Sequence, residues 1–492
     1  MIQNFEKARG SQRPKIVFLS SYRYWPVQDG GHNRIFHLLE GLQPYFDITV
    51  VTVEFSGTSK FSIDGLTTSQ ISYSPPAKEL WEYRSILGFA GSYTWDLVAT
   101  LSLPKNLDLK ALCERIRNEC DLVILSRPFM LPLLSQFAGK PVILDLHDLE
   151  IEKFKGGKPR NSSECLALSL ETVSILEAVA VTVCTPVNAK YVEKVGGKNV
   201  AVIRNGAKNY IGQRGRRSRN VLFIGSGHGP NVEAVQKIAQ VARNLPEYSF
   251  RIVGNICDHP SILRINKPDN MKFLGFVSEQ EMQNVLNSSF AFLNFVTSGS
   301  GSSLKIAQAL SAGLPVISTE FGMRGFEFLP SESWINVGSV GDAIQAIPEL
   351  YSDRGKIALI RRIYAENSEY YSWADISSNY ARFVWDTYKD TYNSGSFRKR
   401  LLPLSNELIQ SVSNITGFID FSFREPSSFL LKLYSKLVKI YHRFSWLRKF
   451  RIKMYLRWLF PYVIRLRTLL KHRKVQKKVN NLIKTFYEKT KF

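Results

Sequence analysis

The chain has 492 residues, 44% hydrophobic and 12% aromatic, with a formal net charge of +23. That composition excludes a disordered protein, and the length excludes a single core, so two or three domains are expected. No stretch reaches the roughly 18 apolar residues of a spanning helix, and Met1 to Pro14 is polar without the apolar core of a secretory signal, so a cytoplasmic protein is expected.

Short β-branched runs open the chain order: 15–20, 48–53, 122–125, 142–146, 179–184 and 200–203. They are continuous rather than alternating, which predicts strands covered on both faces. Helical patterns lie between them, as at 34–42, where Ile35, Leu38, Leu39 and Leu42 share one face. Residues 208–219 are polar, basic and aperiodic and read as a linker, with a hinge near 205–219. A second series follows: strands at 220–225, 250–254, 271–274 and 290–296, with helices near 231–243 and 279–287. Residues 356–390 again look helical. The pattern predicts two doubly wound α/β domains in tandem, 15–207 and 208–392, after a polar segment 1–14 and before an extension 393–492. Five cysteines, at 113, 120, 165, 184 and 257, are odd in number and lack metal-ligand spacing; they read as core thiols in a reducing compartment.

The densest chemical signal is Ser298-Gly-Ser-Gly-Ser-Ser-Leu-Lys305, leading from the apolar run 290–296 into a helical stretch that stops at Gly313, before the strand 315–319. Small residues leave backbone amides bare at a helix N-terminus, where the dipole favours an anion. Two readings stand: a phosphate cradle at the carboxyl end of a parallel strand, or a tight serine-rich loop with a capped helix, Ser302 and Ser303 capping it, touching phosphate, or both.

Six segments in order carry a resemblance: Tyr24-Trp-Pro-Val-Gln-Asp-Gly-Gly-His-Asn-Arg34, Leu144-Asp-Leu-His-Asp-Leu-Glu150, Val202-Ile-Arg-Asn-Gly206, Phe223-Ile-Gly-Ser-Gly-His-Gly-Pro-Asn231, Phe273-Leu-Gly-Phe-Val277 and 298–319. Together, over roughly 15–390, they resemble the GT4-type (group 1) glycosyltransferases. The resemblance implies a GT-B fold, two Rossmann-like domains facing a cleft, and sugar transfer from a nucleotide-diphosphate donor to a hydroxyl of a glycan or lipid-linked acceptor, with retention and without a metal. It implies no cofactor beyond the nucleotide sugar as co-substrate. His147, in the cleft beside the transferred sugar, and Lys305, reaching the diphosphate, are the implied catalytic pair. Gly225, Ser226, Gly227, Ser298, Gly299, Ser300, Gly301, Ser302, Ser303, Gln308, Glu320 and Arg324 are expected on the donor. Gly30, Gly31, Arg34 and Asp148 are expected on the acceptor side of the cleft.

Two positions depart from the pattern. Members commonly carry glutamates where this chain has Ser300 and Gln308, and the Arg/Lys pair that many place after the segment at 223–225 is missing. A neutral hydrogen bond is about half as strong as a charge-assisted one. A catalytically degenerate scaffold or sugar-binding subunit at the membrane surface therefore stands as the alternative, with a GT-B-like epimerase as a third reading.

The charge sits in the tail: residues 393–492 hold 23 basic and 4 acidic residues, leaving 42 against 38 in the rest. Leu430, Leu433, Leu437, Ile440, Phe444 and Leu447 fall on one helical face, with Lys432, Lys436, Lys439 and Arg443 on another. With the aromatic and basic residues that follow, this predicts a segment, 429–478, lying on an anionic membrane surface at the inner face of the cell membrane. A partner helix, an extra packed helical subdomain and nucleic acid are competing readings, the last disfavoured because no nucleic-acid-binding fold accompanies the charge.

Overall fold

A computed structural model gives the structure. It describes residues 13–53, 60–62, 68–73, 83, 94–394 and 403–423, except 22, 23, 26, 28, 29, 106, 155, 209 and 211–217, together with 480, 481, 483, 484 and 488. The first domain runs β1 (Lys15–Ser20), α1 (Gly30–Leu42), β2 (Asp47–Val53), β3 (Lys60–Ser62), β4 (Thr68–Tyr73), α2 (Thr94–Ser102), α3 (Leu107–Arg117), β5 (Leu122–Ser126), a 3₁₀ stretch (Pro128–Phe137), β6 (Val142–Asp145), a 3₁₀ turn (Glu150–Lys153), α4 (Ser162–Glu177), β7 (Ala180–Val183), α5 (Pro186–Val195) and β8 (Val200–Val202). Its sheet has the order β3-β4-β2-β1-β5-β6-β7-β8, with only β3 antiparallel to its neighbour. The strands β5, β6 and β7 are buried along their whole length, as continuous apolar runs require when helices cover both faces.

The second domain runs β9 (Asn220–Ile224), α6 (Gly229–Asn244), β10 (Ser249–Val253), α7 (Pro260–Leu263), β11 (Met271–Gly275), α8 (Glu279–Asn287), β12 (Ala291–Asn294), α9 (Leu304–Ser311), β13 (Val316–Ser318), β14 (Ile335–Asn336), α10 (Val340–Ser352) and α11 (Arg354–Glu366). Its six parallel strands are ordered β11-β10-β9-β12-β13-β14. Both sheets are doubly wound. In each, the direction of winding reverses beside the first strand, between β1 and β5 and between β9 and β12, and ligands of open α/β sheets bind at the carboxyl ends of such strands.

The two chain crossings between the domains lie side by side. Ala207 N–H donates to Tyr371 O at 2.8 Å and Trp373 N–H to Ala207 O at 3.1 Å. The last helix of the body, α12 (Trp373–Ser394), was expected with the second domain but packs on the first. Its Trp373, Ile376, Tyr380, Ala381, Val384 and Trp385 join Ile35, Leu38, Leu39, Leu42 and Phe46 of α1 and its turn in one core. The helices cross where α1 has Gly41, whose added methyl would meet Ser377 O at 2.5 Å.

The tail is not wholly an appendage. After α12, α13 (Pro403–Phe423) buries Leu408 and Val412 in the first domain's core, where Ile483 joins them, and Ser405 bonds to the Glu177 carboxylate. The amphipathic segment expected at 429–447, and most of 429–478, lies outside the described residues. Among the described residues no helix is long and apolar enough to cross a membrane. All five cysteines are free thiols, four of them buried.

Gly41→Ala is expected to destabilise the protein by about 1–3 kcal/mol, because the obstacle is a backbone carbonyl that no rotamer change removes. Urea unfolding measures it; a midpoint equal to the parent's would contradict the tight α1–α12 crossing.

Candidate functional site

The loop between β12 and α9 depends on two glycines in left-handed or related backbone, Gly299 at φ 140° and Gly301 at φ 62°. Ser303 takes the N-cap position of α9 but forms no side-chain cap bond, so of the roles read for it the capping one is not made here. Its amide instead reaches Arg324 O at 3.4 Å. Ser302 Oγ is buried and finds no hydrogen-bond partner among the described residues. Arg324 lies across the loop, with Nη2 donating to Ser300 O at 3.2 Å and its guanidinium 4.7 Å above the Phe321 ring. Ser298 and Glu320 are exposed at the rim.

Lys305 turns inward. Its Nζ sits 2.5 Å from Asn231 Oδ1 and 4.7 Å above the Phe223 ring. Burial, reinforced by the Arg324 charge, pushes its pKa down to about 7. Asn231 in turn donates to Ser226 O at 2.8 Å, so one amide side chain joins the cradle helix to the loop after β9. That loop carries Gly225, Ser226 and Gly227. Gly227 N–H donates to Asn255 Oδ1 at 2.9 Å, and Gly225 O lies where a methyl on Gly254 would come within 2.2 Å, so loops 225–227 and 254–255 close on each other without side chains between them. Gln308, expected on the donor, bonds to Tyr210 of the interdomain segment.

Opposite, His147 stands two residues past the end of β6. Its Nε2 is 3.3 Å from Asp145 Oδ2 and 3.0 Å from Ser126 Oγ. Burial lowers the histidine's pKa more than Asp145 raises it, which keeps the ring neutral near pH 7. Asp145 itself is fully buried and gripped by Arg34, with Nη2–Oδ1 at 2.7 Å and Nε–Oδ2 at 3.2 Å. Thr182 Oγ1 donates to the same carboxylate at 2.7 Å. Burial opposes that charge, but Arg34 and His147 outweigh it and hold the carboxyl well below the usual range.

Arg34 was expected to line the acceptor side, and this is corrected. It is 1% exposed, and its Nη1 donates to Ile203 O at 2.9 Å and Asn205 Oδ1 at 3.1 Å. It therefore ties α1 and β6 to the hinge peptide. Gly30 sits against the second domain: an added methyl would meet Leu304 Cδ1 at 2.4 Å. Gly31 is half-buried in the first turn of α1, and part of the loop before it lies outside the described residues.

The two halves meet at a seam. Ser300 Oγ donates to Asp148 Oδ2 at 3.0 Å, and Gly301 N–H to Glu152 Oε2 at 3.2 Å. A methyl on Gly301 would come 2.9 Å from His147 O. Behind Asp148, Lys153 Nζ bridges it at 2.9 Å to Glu150 at 2.7 Å. Arg127, at the strained φ of 65°, spans Asp96 at 2.9 Å and Glu150 at 3.5 Å. Sequence reasoning did not place Ser126, Arg127, Asp145, Lys153 or Asn231 in the site. Asp145 had a legible signal, a charge interrupting an apolar strand two residues before His147; the others had none.

Residues 218–353 match the family model described as glycosyl transferases group 1. No curated protein matches the chain in sequence. Among solved structures, sucrose-phosphate synthase from Thermosynechococcus elongatus aligns with TM-score 0.60 and 14% identity, over 78% of this chain and 100% of that one. Anabaena HepE in complex with UDP and glucose aligns with TM-score 0.54 and 17% identity, over 76% and 100%. The Escherichia coli trehalose-6-phosphate structure bound with UDP-2-fluoro glucose gives 0.51 and 11%, over 76% and 99%. These similarities establish the GT-B architecture of the chain.

Arg34→Met is expected to destabilise the fold by about 3–5 kcal/mol at neutral pH, because Asp145 is left charged and buried. The parent's depressed Asp145 pKa contributes stability that is present above the ordinary carboxylate value of about 3.9 and lost as pH falls below it. The deficit of the variant should therefore shrink in acid. Denaturant unfolding at pH 7 and pH 3 checks this, and equal deficits at both would argue against the pairing.

Proposed function

We propose that this chain, a GT-B protein whose second domain belongs to the group 1 glycosyltransferases, transfers a sugar from a nucleotide-diphosphate donor to a hydroxyl of a glycan or lipid-linked acceptor. The observation that carries the reading is that the loop opening α9, which leads into Lys305, docks by hydrogen bonds on Asp148 and Glu152, in the segment that follows His147. The amides opening α9, together with Lys305, supply positive potential where the departing diphosphate gains charge. The loop at 225–227 faces the nucleoside end. His147, neutral and held through Nε2 by Asp145 and Ser126, sits where a sugar ring would lie and donates or accepts at developing charge. Meeting the diphosphate with Lys305, Arg324 and backbone amides fits transfer without a metal, and retention follows the resemblance.

Closure of the two domains excludes water that would otherwise hydrolyse the donor. The acceptor is proposed to belong to envelope or exported polysaccharide, reached from the inner face of the cell membrane. The basic segment 429–478 supports that placement, each charge near anionic lipid contributing about 1 kcal/mol. The second reading, a degenerate sugar-binding scaffold, is favoured by Ser300 and by Gln308 being engaged with Tyr210.

A panel of UDP- and GDP-sugars tested for binding and turnover separates the two. The catalytic reading expects turnover, lost at least a hundredfold in His147→Ala with nucleotide binding retained; binding without turnover on any acceptor favours the scaffold. Proton linkage tests Lys305. A diphosphate favours its charged form and raises its pKa from about 7, so binding above pH 7 takes up a proton and weakens as pH rises. Calorimetry at pH 8 in two buffers should show uptake of nearly one proton, absent in Lys305→Met; uptake unchanged in that variant removes the assigned role.

For the tail, replacing Lys432, Lys436, Lys439 and Arg443 by glutamine should reduce sedimentation with anionic vesicles by at least tenfold while leaving the buried Leu408, Val412 and Ile483 in place. Unchanged sedimentation would discard the lipid surface as partner.

A further inference from the structure

The seam contains a contact that phosphate binding does not explain. The cradle is graded in charge along its length. At Ser303–Lys305 it offers amides, a helix N-terminus and an ammonium; at Ser300–Gly301, one turn earlier, it faces the carboxylates of Asp148 and Glu152 from the first domain. A diphosphate laid against that acidic end would meet like charge, whereas the Lys305 end attracts it. The portion of a ligand extending past the diphosphate toward His147 therefore arrives at carboxylates, and the groups that satisfy carboxylates are hydroxyl donors. Ser302 Oγ, in a residue 8% exposed and without a partner among the described residues, lies between the two ends and marks a polar contact the chain leaves unmade.

The two carboxylates are not equivalent. Asp148 is pinned by Lys153 at 2.9 Å. Glu152 is exposed, on a one-turn 3₁₀ segment, and reaches the Gly301 amide from 149 residues away in sequence. Arg324 lies near it and holds the loop through Ser300 O at 3.2 Å, so the carboxylate keeps a cationic neighbour when it leaves the amide.

We infer that Glu152 is a sugar-specificity residue: in the ligand-free chain it rests on the Gly301 amide, and with donor bound it yields that amide and accepts hydrogen bonds from the hydroxyls of the donor's hexose. It supplies, from the opposite domain, the anionic acceptor that Ser300 does not provide. Charge-assisted hydrogen bonds of this kind are roughly twice as strong as neutral ones, which makes a carboxylate here discriminating. The inference rests on the proposed donor site.

The full-length parent, Glu152→Gln and Glu152→Ala are titrated calorimetrically with UDP, UDP-glucose, UDP-galactose, GDP and GDP-mannose, with melting temperatures recorded to verify folding. For the nucleotide sugar that the parent binds best, Glu152→Ala should lose about tenfold of the affinity gained over the bare nucleotide, with Glu152→Gln in between. Bare-nucleotide affinity should stay within about twofold of the parent or tighten, since a competing carboxylate has left the amide. The inference is overturned if Glu152→Ala keeps the sugar-dependent gain, if it loses bare nucleotide and nucleotide sugar alike, or if the parent binds nucleotide but gains nothing from the sugar. A parent that binds no nucleotide at all defeats the donor-site reading itself, an outcome recognisable because the bare-nucleotide titrations are then flat.

Discussion

The buried pair of Arg34 and Asp145 is the constraint on which the rest of the cleft depends. Two charges taken out of water are tolerated only when every donor and lone pair is met, and here the fork of Arg34 meets both carboxylate oxygens, the Ile203 carbonyl and the Asn205 side chain. The pair thereby fixes the helix after β1, the end of β6 and the start of the hinge in one geometry. Asp145 then spends its remaining capacity on Thr182 and on His147, so the imidazole is oriented by a charge that cannot move. A histidine at a strand end is otherwise free to choose its rotamer; this one has its Nε2 side decided for it.

The second domain handles its cation in the opposite manner. Among the described residues no carboxylate pairs with Lys305; an amide oxygen and an aromatic face receive the ammonium, and burial draws its pKa toward neutrality. An anion placed beside such a group would favour its charged form. Across the seam, Asp148 and Glu152 dock on the glycine-rich loop, so an electropositive end and an acidic end share one short segment of backbone. The GT-B arrangement makes this possible because the switch points of two sheets face one another, and loops distant in sequence share one crevice.

The tail joins this scheme through the core of the first domain. Leu408, Val412 and Ile483 fill the same core as the residues packed around β5 and β6.

Continuity of apolar runs predicted parallel strands covered on both faces, and glycine-serine spacing predicted a loop of bare amides at a helix start; both are local properties, set by neighbours a few residues away. The edge strands at 60–62 and 68–73 carry no apolar run that predicts them, because they are short and largely polar. The assembled fold alone decided which polar residues face the cleft. Arg34 and His147 look alike in sequence, each a basic residue near the end of an apolar element. One is sealed inside because Asp145, 111 residues away, waits for it, while the other meets that same carboxylate from two residues further along the chain, together with Ser126. Likewise nothing near Glu152 announces Gly301. Local periodicity determines what secondary structure a segment adopts, but burial and partnership of a charge depend on groups that only the packing of two domains brings within 3 Å or so of each other.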